Sequence, residues 1–423
     1  MTRRAASRDA RLLTATERGE LAFDVGPDPR TIGVTLRLAG PAPSEELLAA
    51  ILEDRLPGAP RWACRVLRPS DGPPQWDPVA VDVAAHVRTV ELGSGAEDDV
   101  LAATERIMRE PWDLAAAPPW RVTRLVTPTG PDAVVLTLHH VLTDGTGALA
   151  TASALLGMTD PPEPSAAPAP AGPVRGVIQA ARTVVLGAAE VAAGFGRAAP
   201  RTALAVPISP GFRLTIVDLD LAQVRAVARR SGATVNDVLL VAGTGAMGRL
   251  LARRGRPADR LVCSVPVSRA RPGDTDRRVR TGVLRVPVPV DPALSSVERL
   301  RRTAARSRRR RRFATGESAP LLGGVFELFG RLGIYRHVLE RQRVINTVVS
   351  NLRGPAEPLA LAGVPVAGVV PVAPGVGNVP LYFTALSYAG RLVVTLRADH
   401  QVAAELPALA ADLRAVVDEL ADG

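Results

Sequence analysis

The order of apolar and polar residues predicts alternating strands and helices along the whole chain. In the strand-like segments the two kinds of residue alternate, whereas in the helix-like segments apolar residues recur every three or four positions. The predicted strands are residues 31–40, 120–126, 133–139, 213–220, 282–290 and 392–399. The predicted helices are residues 44–55, which begin behind the N-cap residue Ser44, and residues 97–110, 145–156 and 405–421. This pattern indicates a layered α/β (α+β) protein.

A change in composition divides the chain into two halves of similar size. Residues 160–173 are dominated by Pro, Ala and Ser, which is typical of a linker. The Ala-rich amphipathic residues 174–196 suit a connecting helix packed between lobes, or a helix lying on a membrane surface. We therefore predict an N-terminal lobe over 1–160, a linker with a connecting helix over 161–204, and a C-terminal lobe over 205–423.

The composition excludes several kinds of chemistry. All 52 basic residues of the 423-residue chain are Arg, so every mechanism that needs a lysine amine is excluded: a Schiff base, a pyridoxal-phosphate anchor or a Walker-type phosphate loop. The two cysteines, Cys64 and Cys263, are far apart in sequence, and no metal site is predicted. With no leader-like stretch after Met1 and no apolar run of membrane-spanning length, we expect a cytoplasmic protein.

The net charge of +10 comes mainly from one segment. Nine arginines lie between Arg299 and Arg312, and five of them are consecutive, from Arg308 to Arg312. Like charges repel, so we expect a solvated helix face or loop. Such a face can attract anionic lipid head groups on the inner membrane face or a lipid droplet, the phosphates of coenzyme A, or an acidic carrier protein. Nucleic acid is disfavoured, because no stacking aromatic residues are interleaved with the arginines.

The strongest chemical motif is the run HHVLTDG, residues 139–145, between a predicted strand and a predicted helix. Neighbouring side chains on a strand point to opposite faces, so only one of His139 and His140 can face a given cleft. Imidazole is well matched to proton transfer near neutral pH. Asp144 can cap the following helix or pair with a distant Arg, and Gly145 allows a backbone conformation that a Cβ disfavours.

This run resembles the HHxxxDG motif of the chloramphenicol acetyltransferase and condensation-domain superfamily. The whole chain, from about residue 12 onward, resembles the bacterial wax ester synthase/diacylglycerol acyltransferase family within it. Further motifs of that family follow in the same order: PPW at 118–120, ND at 236–237, SNLRGP at 350–355, and the last strand pair LSYAGRLVVTLRAD.

The resemblance implies a role for each residue of the histidine motif. His140 would be the general base that takes the proton of an acceptor hydroxyl, or amine, as it attacks an acyl thioester. His139 would be structural. Asp144 would form a salt bridge that shapes the site, with Arg269 or Arg271 as its partner.

The other motifs would line or brace the substrate channel. Ser350 and Asn351 would lie beside the channel in the second lobe, Trp120 would support it, and Asn236 and Asp237 would brace a helix start. The resemblance implies two chloramphenicol-acetyltransferase-like lobes around a tunnel. It also implies acyl-CoA as co-substrate, no metal and no redox cofactor, and triacylglycerol or wax ester as product.

Departures from the family pattern leave the acceptor open. Leu352 and Arg353 replace an apolar residue and a proline, and Pro119 replaces a leucine. A polar acceptor of secondary metabolism, or a carrier-protein donor, is the alternative.

A different class of function competes for one segment. Gly243 to Gly248 match GxGxxG, with VLLVA before them as a candidate strand and RLLARRG after them as a candidate helix. Arg269 and Arg271 would then suit a 2′-phosphate, giving an NADP-binding unit. The same segment also has the opening of a helix at Thr234, and no GxSxG nucleophile elbow supports a serine hydrolase.

Overall fold

The computed structural model describes residues 11–128, 130–159, 198–268, 281–311, 328–330 and 332–423. Its helices are α1 (Ala15–Phe23), α2 (Glu45–Arg55), α3 (Glu97–Met108), α4 (Gly145–Leu155), α5 (Leu221–Arg230), α6 (Val235–Arg253), α7 (Ser296–Arg311), α8 (Tyr335–Glu340) and α9 (Leu406–Asp422). Its strands are β1 (Thr31–Leu38), β2 (Cys64–Leu67), β3 (Gln75–Pro78), β4 (Val87–Glu91), β5 (Trp120–Val126), β6 (Ala133–His139), β7 (Phe212–Asp220), β8 (Arg260–Ser268), β9 (Thr281–Pro289), β10 (Thr347–Arg353), β11 (Ala360–Leu361), β12 (Val364–Val372), β13 (Leu381–Tyr388) and β14 (Arg391–Asp399).

Two six-stranded sheets form the centres of two lobes. The first has the order β11-β12-β1-β6-β5-β4 and the second β7-β14-β13-β10-β8-β9. Strand β12 belongs to the C-terminal half of the sequence, yet it pairs antiparallel with β1 from Gly33↔Val372 to Leu38↔Val366. The two lobes are therefore not continuous stretches of chain, as the predicted ranges 1–160 and 205–423 had them. Of the predicted linker and connecting helix, residues 161–197 lie outside the described residues.

Aliphatic side chains fill the main core of each lobe, as the low aromatic content requires. In the C-terminal lobe, α6 and α9 pack on the second sheet through Leu, Val and Ala side chains. In the N-terminal lobe, Trp62, Trp76 and Trp120 add large buried rings to an aliphatic core. Burial of this kind supplies most of the free energy that stabilises each lobe.

One fully buried ion pair and one partly exposed ion pair join the two lobes. Asp28, just before β1, holds Arg397 of β14 at 2.6 Å, and both side chains are at most 5% exposed. The second oxygen of Asp28 accepts the Gly211 N–H at 3.0 Å. On α3, Glu105 accepts the Leu214 N–H at 2.7 Å and pairs with Arg213 at 2.7 Å. Carboxylates of the N-terminal lobe thus bind β7, the edge strand of the second sheet, and β14, the strand next to it.

The segment with the GxGxxG pattern is a helix, so the predicted NADP-binding unit is wrong. The stretch VLLVA lies inside α6, which begins with a capping box at Thr234, and the glycines lie in the middle of the same helix. A Cβ on Gly243 would come within 3.2 Å of the Phe383 ring, and one on Gly245 within 3.0 Å of Val416. These glycines therefore allow α6 to approach β13 and α9 closely, and they do not form a phosphate-binding turn.

Helix α6 is also the described helix that is long and apolar enough to cross a membrane. Of its apolar stretch, 78% is buried inside the protein, as in the core helix of a folded lobe.

Candidate active site

The two histidines of the HHxxxDG-like run lie where β6 ends, in unequal environments. The His139 N–H donates to the Pro119 carbonyl at 2.9 Å, and the His140 N–H donates to the Arg30 carbonyl at 2.8 Å. The His139 side chain is fully buried, whereas that of His140 is 19% exposed. Of the two, only His140 can therefore meet a substrate without a rearrangement of the core.

His139 is held on both ring nitrogens. Its Nδ1 accepts the Val141 N–H at 3.1 Å, so the ring proton sits on Nε2, which lies 3.3 Å from Asp24 Oδ2. Burial raises the pKa of Asp24, but its hydrogen bonds with the His139 ring and the Arg30 N–H oppose burial, and that pKa lies below its usual range. His139 thus serves as a fixed support for the chain beside His140.

His140 is kept neutral by its surroundings. Burial lowers the pKa of its imidazole below the ordinary histidine value, Arg30 adds to the lowering, and the carboxylates of Glu20 and Asp144 oppose it. A neutral imidazole has a lone pair free to accept a proton, so His140 is suited to act as a base at neutral pH.

Asp144 caps the helix that follows the histidines. Its Oδ1 accepts the Gly147 N–H at 2.9 Å at the N-terminus of α4, and the residue is buried. Gly145, the first residue of α4, faces the other lobe, because a Cβ there would lie 3.5 Å from the Leu352 side chain. The predicted partners Arg269 and Arg271 lie outside the described residues, so the pairing of Asp144 with one of them stays a prediction.

The Leu352 contact brings the motif at residues 350–355 next to the histidine motif. Ser350 and Asn351 lie on β10, paired in parallel with Thr384 and Ala385 of β13. Asn351 is exposed and Ser350 is half-buried. The structure thus places this strand of the second lobe against the histidine motif at Leu352, and the position of Ser350 and Asn351 beside a substrate channel stays a prediction.

Trp120 supports the histidines from within the sheet. Its indole N–H donates to the Trp62 carbonyl at 2.8 Å, and its ring stacks on His86 with centroids 4.2 Å apart. Trp120 pairs with Leu138 on β6, next to His139. The PPW motif therefore fixes the end of β6.

Asn236 and Asp237 stand at the start of α6. The buried carboxylate of Asp237 accepts hydrogen bonds from the Thr234 N–H at 2.9 Å and the Thr234 hydroxyl at 2.7 Å, closing a capping box. Asn236 is half-buried beside it. The pair lies at a helix start, where the sequence predicted it.

Three charged residues beside the two histidines were not predicted from the sequence. Glu20 on α1, Asp24 at the C-terminal cap of α1, and Arg30 before β1 all surround the histidines. Glu20 and Asp24 are four residues apart in the sequence. This is the spacing of two side chains on one face of a helical segment, and it could have pointed to the pair.

Metal chemistry has no candidate ligand set in the described part of the chain, where no three His, Cys, Asp or Glu side chains cluster. Cys64 and Cys263 are buried free thiols, and burial raises the pKa of both.

Replacing Asp144 with alanine should lower both stability and turnover. Loss of an N-cap side chain costs about 1–2 kcal/mol, and the displaced start of α4 carries Gly145 away from its contact beside the base. Chemical denaturation and an acyl-transfer assay on the same preparation measure both effects.

The matched control is Ser44→Ala, which removes the N-cap of α2, where the Ser44 hydroxyl accepts the Leu47 N–H at 3.2 Å. It should lose stability and keep full turnover. If Asp144→Ala loses turnover at unchanged stability, Asp144 acts directly in the chemistry and its structural role is wrong.

Sequence and structure comparisons agree on one family. The model of the wax ester synthase/diacylglycerol acyltransferase catalytic domain matches residues 34–176 and 164–239, and that of the WS/DGAT C-terminal domain matches residues 280–421. A probable diacylglycerol O-acyltransferase of Mycobacterium tuberculosis H37Rv is 30% identical, with 92% of this chain and 90% of that protein covered.

Solved structures show the same fold. The wax ester synthase/diacylglycerol acyltransferase of Marinobacter aquaeolei VT8 superposes with a TM-score of 0.70 at 22% identity, covering 97% of this chain and 98% of that one. The starter condensation domain of rhizomide synthetase RzmA, solved as the R148A mutant with C8-CoA, superposes with a TM-score of 0.67 at 16% identity, covering 99% and 96%. The chain belongs to the wax ester synthase/diacylglycerol acyltransferase family of acyltransferases.

Proposed function

We propose that the enzyme transfers an acyl group from acyl-CoA to the hydroxyl of a diacylglycerol or a long-chain alcohol, giving triacylglycerol or wax ester. The observation that carries this proposal is His140. It is the partly exposed member of the histidine pair, its pKa is lowered by burial, and its backbone is anchored to Arg30. The family names of the relatives support the two acceptor classes.

The reaction needs one base and no covalent enzyme intermediate. His140 takes the proton of the acceptor hydroxyl while its oxygen attacks the thioester carbonyl. The C–O bond of the ester forms, the C–S bond breaks, and the leaving thiolate takes the proton back from the imidazolium. Holding both substrates against a positioned base supplies the rate enhancement.

An acceptor screen tests this proposal. Purified enzyme is incubated with acyl-CoA donors and, one at a time, a diacylglycerol, a long-chain alcohol, a polar polyol and an amine, and the products are identified by mass spectrometry. We expect triacylglycerol or wax ester, absent from a His140→Ala reaction. Turnover of no hydroxyl acceptor with any acyl-CoA would overturn the proposal.

A polar acceptor, or a carrier-protein donor, is the second candidate. Arg353 is exposed on β10 directly after Leu352, the residue that lies next to Gly145, and it replaces a proline of the family pattern. The condensation-domain neighbour has the same fold. Ester or amide formed only with the polar polyol or the amine, and none with lipid acceptors, would favour this candidate.

Acyl-CoA should stabilise the protein against heat, because it binds the folded state alone. At a concentration of 100 times Kd the expected gain is about 2.7 kcal/mol. NADPH is the control, since it also carries anionic phosphates on an adenine nucleotide, and it should leave Tm unchanged. Equal shifts with both compounds would indicate unspecific binding of anions and contradict a specific donor site.

The arginine-rich helix supports a further part of the proposal, contact with anionic partners. Helix α7 buries Leu300, Thr303, Ala304 and Ser307 on one face and exposes arginines on the other. Some of these arginines also bind the protein itself: Arg308 donates to the Gly232 carbonyl and Arg310 to the Arg285 carbonyl. The exposed arginines suit an anionic inner membrane face, coenzyme A phosphates or an acidic carrier protein. We propose that the enzyme works in the cytoplasm, peripherally at that membrane.

A further inference from the structure

Helix α1 and its C-terminal cap present one carboxylate to each histidine of the motif. Glu20 lies next to His140 and Asp24 next to His139, with Glu20 Oε2 3.5 Å from His140 Nδ1 and Asp24 Oδ2 3.3 Å from His139 Nε2. Glu20 in the last turn of α1 and Asp24 at its cap therefore face two adjacent histidines at the end of β6.

Glu20 is held in place by Arg30. Its Oε2 accepts a hydrogen bond from the Arg30 guanidinium at 2.8 Å, and the two side chains are only 14% and 10% exposed. Arg30 is itself anchored: its N–H donates to Asp24 Oδ1 at 3.3 Å, its carbonyl accepts the His140 N–H, and its guanidinium lies over the Phe23 ring. The carboxylate thus has a fixed position relative to the imidazole.

The imidazole nitrogen facing Glu20 is shielded from solvent. His140 Nδ1 has no hydrogen-bond partner among the described residues, although Glu20 Oε2 is 3.5 Å away. Hydrogen bonds of catalytic groups are often long without substrate and shorten when it binds. A small rotation of the His140 ring toward the fixed carboxylate closes this contact.

We propose that Glu20 is a positioning residue for His140: it accepts the Nδ1–H of the imidazole, so that the Nε2 lone pair faces the acceptor hydroxyl. The proposal rests on the proposed function and deepens it. In the neutral imidazole one nitrogen carries the proton and the other accepts, so a carboxylate at Nδ1 selects the tautomer that can act as a base at Nε2. When the acceptor proton moves to Nε2, Glu20 balances the charge of the imidazolium.

Arg30 sets how strongly Glu20 acts. The charged groups that face His140 in the described structure are Glu20, Arg30 and Asp144. Burial raises the pKa of Glu20, but His140 and Arg30 outweigh it and hold that pKa below its usual range, so Glu20 stays ionised beside the base. Arg30 also opposes protonation of His140, which keeps the imidazole ready to accept a proton.

Because Glu20 and Arg30 carry opposite charges, removing each charge should shift the pH profile in the opposite direction. Glu20→Gln keeps the shape and an acceptor for Arg30 but removes the negative charge. We expect kcat to fall about 10- to 100-fold, the range for loss of a hydrogen bond to a charged group, with KM little changed. The acidic limb of kcat/KM should move to lower pH, because the imidazolium loses its partner. Arg30→Gln should move the same limb to higher pH.

Glu97→Gln is the matched control. Glu97 pairs with Arg37 at 2.8 Å on the surface, and its loss should leave kcat and the pH profile unchanged. Glu20→Gln and Arg30→Gln each break the same ion pair. A general loosening of the fold would therefore not shift the acidic limb of the pH profile in opposite directions for the two variants. If Glu20→Gln fails to fold, the direction of the Arg30→Gln limb and the activity of Glu20→Asp, which keeps the charge, decide the question.

The outcomes separate this proposal from the proposed function. Wild-type kcat and pH profile in folded Glu20→Gln, beside an inactive His140→Ala, would overturn the role of Glu20 alone. If His140→Ala also turns over normally, the proposed function itself is wrong.

Discussion

Replacing His140 with alanine should lower turnover by roughly 10²- to 10⁴-fold, the contribution of a positioned base. The fold should persist, because this side chain is partly exposed and its backbone N–H bond to Arg30 remains. Turnover with saturating acyl-CoA and acceptor measures the loss, and circular dichroism with thermal unfolding measures the fold.

The direction of the pH dependence of turnover can also be predicted. Burial lowers the pKa of His140, so the unmodified enzyme should stay active as the pH falls to the ordinary histidine value of about 6.5, and lose activity only below it, as the imidazole takes a proton. The control His337→Ala changes an exposed histidine of α8 and should affect neither rate nor profile. Normal turnover in folded His140→Ala would end the base mechanism.

Replacing Asp28 with alanine should destabilise the protein by about 3–5 kcal/mol, the usual cost of leaving one charge of a buried ion pair alone. Arg397 is 3% exposed, and its guanidinium lies 4.0 Å from the centre of the Phe212 ring, so water cannot replace the carboxylate. The Gly211 N–H loses its acceptor as well. The free energy of unfolding in denaturant, compared with the unmodified protein, gives the effect.

Glu298→Ala provides the comparison for Asp28. Glu298 pairs with Arg302 one turn along α7, and both side chains are at least 38% exposed, so this change should cost no more than about 1 kcal/mol. A loss of similar size for both variants would mean that the contact between Asp28 and Arg397 does not hold the lobes together.

The local pattern of apolar and polar residues was sufficient to predict helices and strands whose sequence matches the burial of their side chains. Strands 120–126 and 133–139 have the predicted bounds, and the helix behind Ser44 begins at its predicted cap. Strand β12 was missed because Pro365 and Pro371 break the pattern that predicts a ladder. The segment at 238–242 was ambiguous, because a short apolar run suits a strand or a helix; in the structure it is helical and all five of its side chains pack in the core of the second lobe.

The same division holds for the candidate site. The histidine motif was predictable because its residues are neighbours in sequence and their roles follow from strand and cap geometry. Glu20 and Arg30 were not, since their closeness to His140 depends on how α1 and the start of β1 pack against the end of β6. The helix Ala15–Phe23 was not among the predicted helices, and only the packing of distant segments shows what Glu20 and Asp24 face.

Because β12 belongs to the first sheet, that sheet depends on a segment that is synthesised late. Strand β1 leaves the ribosome early, whereas its partner Val364–Val372 follows only after most of the second lobe. Until then one edge of β1 has unpaired backbone N–H and C=O groups, and an open edge is a template for aggregation. The sheet that carries the histidines therefore cannot be completed until residue 372 has been made, although β1, β4, β5 and β6 are made early.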